Sequence, residues 1–185
     1  MKFLFGARIA KLIFPAIYTG NFVVNVKTLT KDRVGKMIIE TLIFSVPEAV
    51  AISWLTCGFT GTKMDFKKIV ALGVLMGLLS AAIRPLTGSY ILNVIAYTSV
   101  LMALLSIFKI SPLSKRLTSV FIAMSVYLMI EFLNIKALQT IFRLDPAIII
   151  DNIVLRFLWF IPQLTAAMLI AFLITKYNFS LFTEE

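Results

Sequence analysis

The stretch ILNVIAYTSVLMALLSIF, residues 91–108, decides the fold class of this chain. It contains no charged side chain. As an α-helix it would be roughly 27 Å long, at a rise of about 1.5 Å per residue. The hydrocarbon core of a bilayer is about 30 Å thick, and a helix satisfies its own backbone hydrogen bonds there. The stretch therefore predicts a membrane-spanning helix.

Four further apolar windows flank this segment, two on each side. They cover residues 38–58, 69–86, 117–135 and 153–175. Each is long enough to cross a bilayer, which needs roughly 17–25 helical residues. We predict an all-α, multi-pass transmembrane helical bundle of about five spans, which forms one domain over residues 37–176.

The composition excludes an ordinary soluble domain. Hydrophobic residues make up 60% of the 185 residues and charged residues only 15%, whereas soluble domains are roughly half apolar and a quarter charged. A soluble fold of this size does not have enough interior to bury so many apolar side chains. The lipid bilayer is therefore the first partner that we predict.

The charge and the missing residue types exclude several classes of function. The net charge is +9, but basic residues mark the loops and ends of membrane helices, so we expect no nucleic-acid partner. Cys57 is the one cysteine and there is no histidine, which rules out a Cys–His catalytic pair and a His/Cys zinc site. Phosphate-binding and dinucleotide-binding motifs are also missing. We expect neither enzymatic activity nor a cofactor or metal.

The first 36 residues and two later segments differ from the spans. Residues 1–36 form an amphipathic segment, with Arg8 and Lys11 on one side of a helical wheel and Phe5 and Ile9 on the other. This pattern favours a helix that lies in the headgroup region, with an additional span as the alternative. Residues 136–152 are predicted to be a loop with a short interfacial helix, and residues 177–185 a short tail.

The distribution of basic residues predicts the orientation. The loops at 63–68 and 109–116 lie on the same side as the tail with Lys176, and all three are basic. Positive charge favours the cytoplasm, so we favour a cytoplasmic C-terminus. The basic segment 27–36 argues for the opposite orientation, because it precedes the first span on the other side.

The ionisable residues inside the spans are the candidate site. Because consecutive helices run in opposite directions, all of these residues fall toward one leaflet, the outer one in the favoured orientation. They are Glu40, Glu48, Arg84, Glu131 and Arg156. A charge in hydrocarbon costs several kcal/mol unless it faces the bundle interior and is paired. We predict a polar pocket, in which Arg84 pairs with Glu131, and Arg156 with Glu48 or Glu40. The alternative is that Glu40, Arg84 and Arg156 extend to the interface.

Two further patterns concern helix packing and anchoring. Gly73, Gly77 and Ala81 recur every four residues on the second span and predict a close helix–helix contact, either within the chain or with a homodimer or membrane-protein partner. Tyr97 and Trp54 lie toward span ends and are predicted to be interfacial anchors.

Three short motifs carry a resemblance to a known family. The first span contains Pro47-Glu48, a basic loop runs from Gly61 to Ile69, and the second span ends in Ile-Arg-Pro-Leu at 83–86. From about Met37 to Lys176, the chain resembles the membrane sensor region of the accessory-gene-regulator-type, peptide-responsive sensor histidine kinases of Firmicutes. The resemblance implies a bacterial cell-membrane sensor that binds an extracellular peptide and has a cytoplasmic C-terminus. The helical phosphoacceptor domain and the ATP-binding domain of that family do not occur in these 185 residues.

Three functional hypotheses follow. The first is a sensor-like protein without a kinase domain, which binds a small peptide or lipid-like signal in the outer-leaflet pocket. The second is the small substrate-binding membrane subunit of a vitamin-type uptake transporter, which the size and hydropathy also fit. The third is an accessory subunit without a ligand, which contacts its partners through the stripe at Gly73, Gly77 and Ala81.

Overall fold

The computed structural model describes residues 39–62, 64–87, 89–142 and 152–182. The predicted interfacial helix in residues 1–36 lies outside this part of the chain. All regular structure in the described residues is helical, so the prediction of an all-α bundle is confirmed. The helices are α1 (Val46–Thr60), preceded by a π-helical turn (Thr41–Ser45); α2 (Phe66–Thr87); α3 (Tyr90–Ile107); α4 (Leu113–Ala137), followed by a second π-helical turn (Leu138–Phe142); and α5 (Ile153–Lys176).

Four of the helical segments are long and apolar enough to cross a membrane. They are Thr41–Thr60, Phe66–Ile83, Leu113–Ile141 and Ile153–Lys176. The apolar part of α3, Ile91–Ile107, is shorter. A shorter segment can still cross by local thinning of the bilayer. The chain is thus a membrane-embedded helical protein with four long spans, and α3, also predicted to span the membrane, has the shortest of the five apolar segments.

Helix α1 is the centre of the bundle. Residues within its membrane window are 61% buried, against 22–33% for the other three long spans. It contacts α2, α4 and α5, and α3 packs against α2 and α4. Ala49, Ile52 and Leu55 of α1 are almost completely buried. Because a helix that is buried all round presents no side chain to lipid, α1 can carry polar groups that a peripheral helix could not.

The small residues of α2 allow its close approach to α1. A Cβ atom at Gly73 would lie 2.5 Å from the Cα atom of Val50, and one at Gly77 would lie 2.8 Å from the Cα atom of Val46. Both distances are shorter than any normal contact, so only glycine fits. Gly73 and Gly77 therefore pack within the chain, against the central helix. Ala81, one turn farther along α2, is half-buried.

The two ends of the bundle differ in backbone geometry and charge, and we name its two halves accordingly. The lysine half contains the α1–α2 and α3–α4 loops and the C-terminal tail. Three of its helix ends terminate in a left-handed residue: Gly61 (φ 72°), Lys109 (φ 53°) and Asn178 (φ 49°). The tail then folds back, and the Leu181 N–H donates to the Phe59 carbonyl at 3.3 Å.

The carboxylate half contains the opposite helix ends and all the breaks in helical geometry that the described residues show. Both π-helical turns lie there, and so does Pro162 inside α5. Pro47 at the start of α1 has no N–H to donate, and the Val46 N–H instead bonds the Thr41 carbonyl, five residues earlier. The irregular turn thus lies directly before the proline of the first span.

One predicted boundary is wrong. The sequence placed Lys136 at the start of a loop, but α4 includes Lys136 and continues through the second π-helical turn to Phe142. The apolar residues of this turn, Leu138 and Ile141, extend the span by more than one turn. The predicted short interfacial helix would fall in the rest of the segment, most of which lies outside the described residues.

A candidate polar site in the carboxylate half

An ion pair joins the residue before the first π-helical turn to the start of α5. The Nη1 atom of Arg156 lies 3.5 Å from the Oε1 atom of Glu40, and both side chains are about a third exposed. The sequence analysis had offered Glu40 as one of two partners for Arg156. The pair lies where the bundle opens toward the headgroup region, so partial solvent screening limits its contribution to stability.

Aromatic packing fixes the position of Arg156. Its guanidinium carbon lies 4.4 Å from the centre of the Phe44 ring. Phe44 is itself buried and meets Phe160 edge to face, with ring centroids 5.4 Å apart. Phe44 belongs to the π-helical turn before α1, so the irregular backbone presents the ring that supports the cation.

Tyr127 is the centre of a second polar group, deeper in the same half. It lies on α4, one turn before Glu131, and only 2% of its side chain is exposed. Glu48 of α1 and Glu131 are both close enough to interact electrostatically with its hydroxyl. The three residues bring α1 and α4 together through polar side chains. Glu48 and Glu131 are half-buried, so they lie between helices more than toward lipid.

The Tyr127 hydroxyl has no hydrogen-bond partner among the described residues. The Gln163 side chain on α5 lies beside it, but the two groups do not meet in hydrogen-bond geometry. Tyr97 of α3 is a further neighbour. The sequence analysis took Tyr97 for an interfacial anchor, and that was wrong, because Tyr97 is 7% exposed and lies in the core. Four helices thus contribute polar side chains around Tyr127.

Asn134 bonds the backbone of α5 close to its internal proline. Its side-chain amide donates to the Trp159 carbonyl at 3.0 Å. Pro162 cannot donate to the carbonyl four residues before it, and its ring disturbs the hydrogen bonds of the adjacent turn. In lipid, such backbone groups must find partners on neighbouring helices. Asn134 therefore ties α4 to the irregular turn of α5, beside Gln163.

The structure leaves one predicted site residue undetermined. Arg84 lies in the last turn of α2, at the same end of the bundle as Glu131, but its side chain is outside the described part of the chain. The predicted pairing of Arg84 with Glu131 therefore stays a prediction.

Sequence reasoning missed Tyr127, Gln163 and Asn134 as parts of the site. The spacing could have indicated the first, because Tyr127 and Glu131 are four residues apart and share one face of α4. Gln163 follows Pro162 directly, and a polar residue beside a proline within a span is a further signal. Nothing in the sequence indicated that α1 is the central helix.

A separate cleft lies in the lysine half, which we name the lysine-half cleft. Its volume is about 310 Å³, and it is open to the outside of the bundle. It is lined by Trp54, Cys57, Thr62, Met64, Asp65 and Asn178, among others. On one wall, the Trp54 indole N–H donates to the Thr175 hydroxyl at 3.1 Å.

The carboxylate half offers both hydrogen-bond acceptors and donors. Three carboxylates and two half-buried amide side chains can accept, and the Tyr127 hydroxyl can donate or accept. No group of three or more His, Cys, Asp or Glu side chains converges within the described residues. The arrangement is suited to binding a polar group between helices.

Comparison with known proteins gives no guide to the site: no protein-family model matches the chain, and no curated protein or solved structure is significantly similar to it.

Proposed function

We propose that this protein is a sensor-like receptor of the cell membrane, which binds a small peptide or lipid-like signal in the carboxylate half. The observation that carries the proposal is the Tyr127 hydroxyl, which is buried next to Glu48, Glu131 and Gln163 and has no hydrogen-bond partner in the part of the chain that the structure describes. The sequence resemblance to peptide-responsive sensors supports the same assignment.

The free-energy cost of these polar side chains favours a role in ligand binding over a role in stabilising the bundle. Placing carboxylates within a membrane bundle costs several kcal/mol, and pairing them often does no more than offset that cost. A buried hydroxyl without a partner costs a further ~1–3 kcal/mol. Apolar side chains of similar size would make a more stable bundle. A ligand that bonds the hydroxyl and the carboxylates recovers part of this cost.

The chemistry of the site indicates the part of the ligand that enters it. Carboxylate and amide oxygens accept hydrogen bonds, so a peptide amino group, a backbone N–H or a lipid amine is the complementary group. The outward-facing surface of the same half is apolar, with Leu42 exposed in the π-helical turn before α1 and Met129 exposed on α4. The remainder of the ligand is then hydrophobic.

The other two hypotheses receive less support. The accessory-subunit hypothesis relied on the stripe at Gly73 and Gly77, and these glycines are occupied by contacts with α1. The vitamin-transporter hypothesis would gain from a sixth span within residues 3–26, which lie outside the described part of the chain.

Binding to nanodisc-reconstituted protein tests the proposal. The probes are a library of short hydrophobic synthetic peptides and a set of single-chain amine lipids, with retention read by mass spectrometry. We expect at least one probe to bind the wild type. We expect Glu48→Gln and Tyr127→Phe each to weaken it by about tenfold or more, the effect of losing one charge-assisted hydrogen bond.

The control is Asp65→Asn, which makes the same carboxylate-to-amide change in the lysine half and should bind as the wild type does. Equal affinity of all four proteins would refute the assignment to the carboxylate half. Failure of every probe would refute the proposed ligand class.

A further inference from the structure

The lysine-half cleft lies where the ends of three helices meet. It is bordered by the last turns of α1 and α5 and by the first turn of α2, which contribute Gly58, Thr175 and Ile69 to its lining. Trp54 lines it six residues before the end of α1 at Thr60, which corresponds to roughly 9 Å along the helix. The cleft therefore extends from the headgroup level of the α1–α2 loop into the outermost hydrocarbon, in the leaflet opposite to the carboxylate half.

An indole ring that is held from two helices forms one wall of the cleft. The Trp54 indole N–H donates to the Thr175 hydroxyl of α5, and the ring meets Phe66 of α2 edge to face, with centroids 5.3 Å apart. The Thr175 hydroxyl donates in turn to the Ala171 carbonyl at 2.8 Å. Both protons are thus used within the protein. This wall offers a ligand an aromatic ring, which attracts cations, and an oxygen that can accept.

The rest of the lining favours a cation. Asp65 is exposed, and it is the one charged side chain among the described residues that line the cleft. Thr62 and Asn178 add side-chain oxygens that accept hydrogen bonds. In addition, α1 and α5 both end at the cleft, and the C-terminal end of a helix carries a partial negative charge. A primary ammonium group, which has three N–H donors, matches these acceptors.

The rim of the cleft favours an anion next to that cation. Helix α2 begins there, and the N-terminal end of a helix attracts phosphate. Lys67 and Lys68 in its first turn are both exposed. Lys67 shares one outward side of α2 with Val74 and Leu78, which are exposed and apolar. A phosphate at Lys67 would therefore have its acyl chains along an apolar stripe of the same helix.

We propose that the lysine-half cleft binds the headgroup of phosphatidylethanolamine, with the ammonium group against Asp65 and Trp54 and the phosphate at Lys67 and the start of α2. The cleft of about 310 Å³ has room for about ten groups of the size of a water molecule, at ~30 Å³ each, which is enough for an ethanolamine phosphate. An amine without a phosphate lacks the second contact and should not occupy the cleft. The site does not depend on the proposed signal site, which lies in the other half of the bundle.

Tryptophan fluorescence tests the site, because the chain has two tryptophans and only Trp54 lines the cleft. Trp159→Phe leaves Trp54 as the reporter. The protein is placed in phosphatidylglycerol nanodiscs with rising fractions of phosphatidylethanolamine or phosphatidylcholine, each brominated near the top of one acyl chain so that it quenches a neighbouring indole. Phosphatidylcholine has the same phosphate but no N–H donor. Half-maximal quenching should therefore need about tenfold less phosphatidylethanolamine, the effect of one charge-assisted hydrogen bond.

Asp65→Asn should abolish this preference. The substitution keeps the size of the side chain, and Asn is favoured as strongly as Asp directly before a helix, so α2 should begin as in the wild type. The matched control is Glu48→Gln, the same carboxylate-to-amide change in the carboxylate half, which should leave the preference at Trp54 unchanged.

The reverse reporter is Trp54→Phe, which leaves Trp159 in the carboxylate half, and both lipids should quench it equally. Equal quenching of Trp54 by the two lipids, or a preference that persists in Asp65→Asn, would overturn the proposal. The same preference at Trp159 would show general enrichment of the lipid around the protein and would overturn the cleft as its site. If Trp159→Phe does not fold, native mass spectrometry of the wild type and of Asp65→Asn takes its place. Equal retention of phosphatidylethanolamine by these two proteins would then overturn the proposal, and a loss of about tenfold in Asp65→Asn would support it.

Discussion

The carboxylate half and the lysine half place their charged groups differently. In the carboxylate half, Glu48 and Glu131 lie between helices beside Tyr127, and Arg156 stacks on Phe44. In the lysine half, charged side chains stand at helix ends and in loops, as Lys68 and Lys109 do, both exposed. The backbone of the two halves also differs. The carboxylate half has π-helical turns and an internal proline, whereas the lysine half has regular helices that end in left-handed residues.

The comparison distinguishes the contacts that hold the helices together from the polar groups that are suited to a ligand. Regular helices that meet through glycine and small side chains gain dispersion contacts, which hold a membrane bundle together. Irregular helices leave backbone N–H and C=O groups without partners in their own helix, so side chains of other helices, such as Asn134, must bond them. This arrangement costs stability, but it fixes the relative position of the helices. Functional sites are where such costs are tolerated. The close contact between α1 and α2 therefore supplies rigidity, and the carboxylate half supplies the polar interior.

The largest effect is expected from overfilling the α1–α2 contact. Gly73→Leu would drive a side chain into the backbone of Val50, because even a Cβ atom would lie 2.5 Å from the Val50 Cα atom. We expect a loss of about 3 kcal/mol or more in the free energy of unfolding, seen as loss of monodisperse protein and a large fall in Tm in detergent. Ala71→Leu on the exposed side of the same helix should keep the wild-type Tm.

A Gly73→Leu protein with the wild-type Tm would show that α1 and α2 do not approach closely. If it remained folded but lost an associated membrane protein, the stripe would serve a partner, as the accessory-subunit hypothesis requires.

The second-largest loss of stability is expected near Pro162, which interrupts α5. Asn134→Ala leaves the Trp159 carbonyl without the side-chain donor that it has at 3.0 Å, and we expect a cost of about 1–3 kcal/mol. Ser125→Ala on the same helix is the control, because its exposed hydroxyl bonds only its own backbone, and its cost should be small.

A double-mutant cycle with Pro162→Ala identifies the cause. Restoring the N–H at position 162 should regularise the turn, so the cost of Asn134→Ala should shrink in that background. Additive costs would show that Asn134 does not compensate for the proline.

The smallest effect is expected at the partly exposed ion pair. Glu40→Gln should cost less than about 1 kcal/mol, because Glu40 and Arg156 are each about a third exposed. The cost should decline further at high salt, which screens exposed pairs. Phe44→Leu, which removes the ring beneath the guanidinium, should cost more and be insensitive to salt, since burial shields its contacts. A salt-independent cost for Glu40→Gln would contradict the exposed position of the pair.

The sequence predicted the helices well and the site only in outline. Apolar windows determine where a chain can cross hydrocarbon, so the span at 153–175 matches α5 (Ile153–Lys176) within one residue. Glu48 and Glu131 stood out because a charge in a span is costly. Tyr127 did not, because a tyrosine in a span is equally suited to an interface, and only the packing of α4 against α1 determines that it is buried. The same applies to Tyr97, whose anchor assignment was wrong.

The central claim, that the polar side chains of the carboxylate half face one another and not lipid, is tested most directly by solid-state NMR. Protein with ¹³C-labelled Glu and Tyr in deuterated lipid should show a correlation between the Glu48 carboxyl carbon and the Tyr127 ring, assigned by its loss in Glu48→Gln and in Tyr127→Phe. A Glu48 carboxyl carbon that correlates instead with the lipid acyl chains, when these are ¹³C-labelled, would contradict the account.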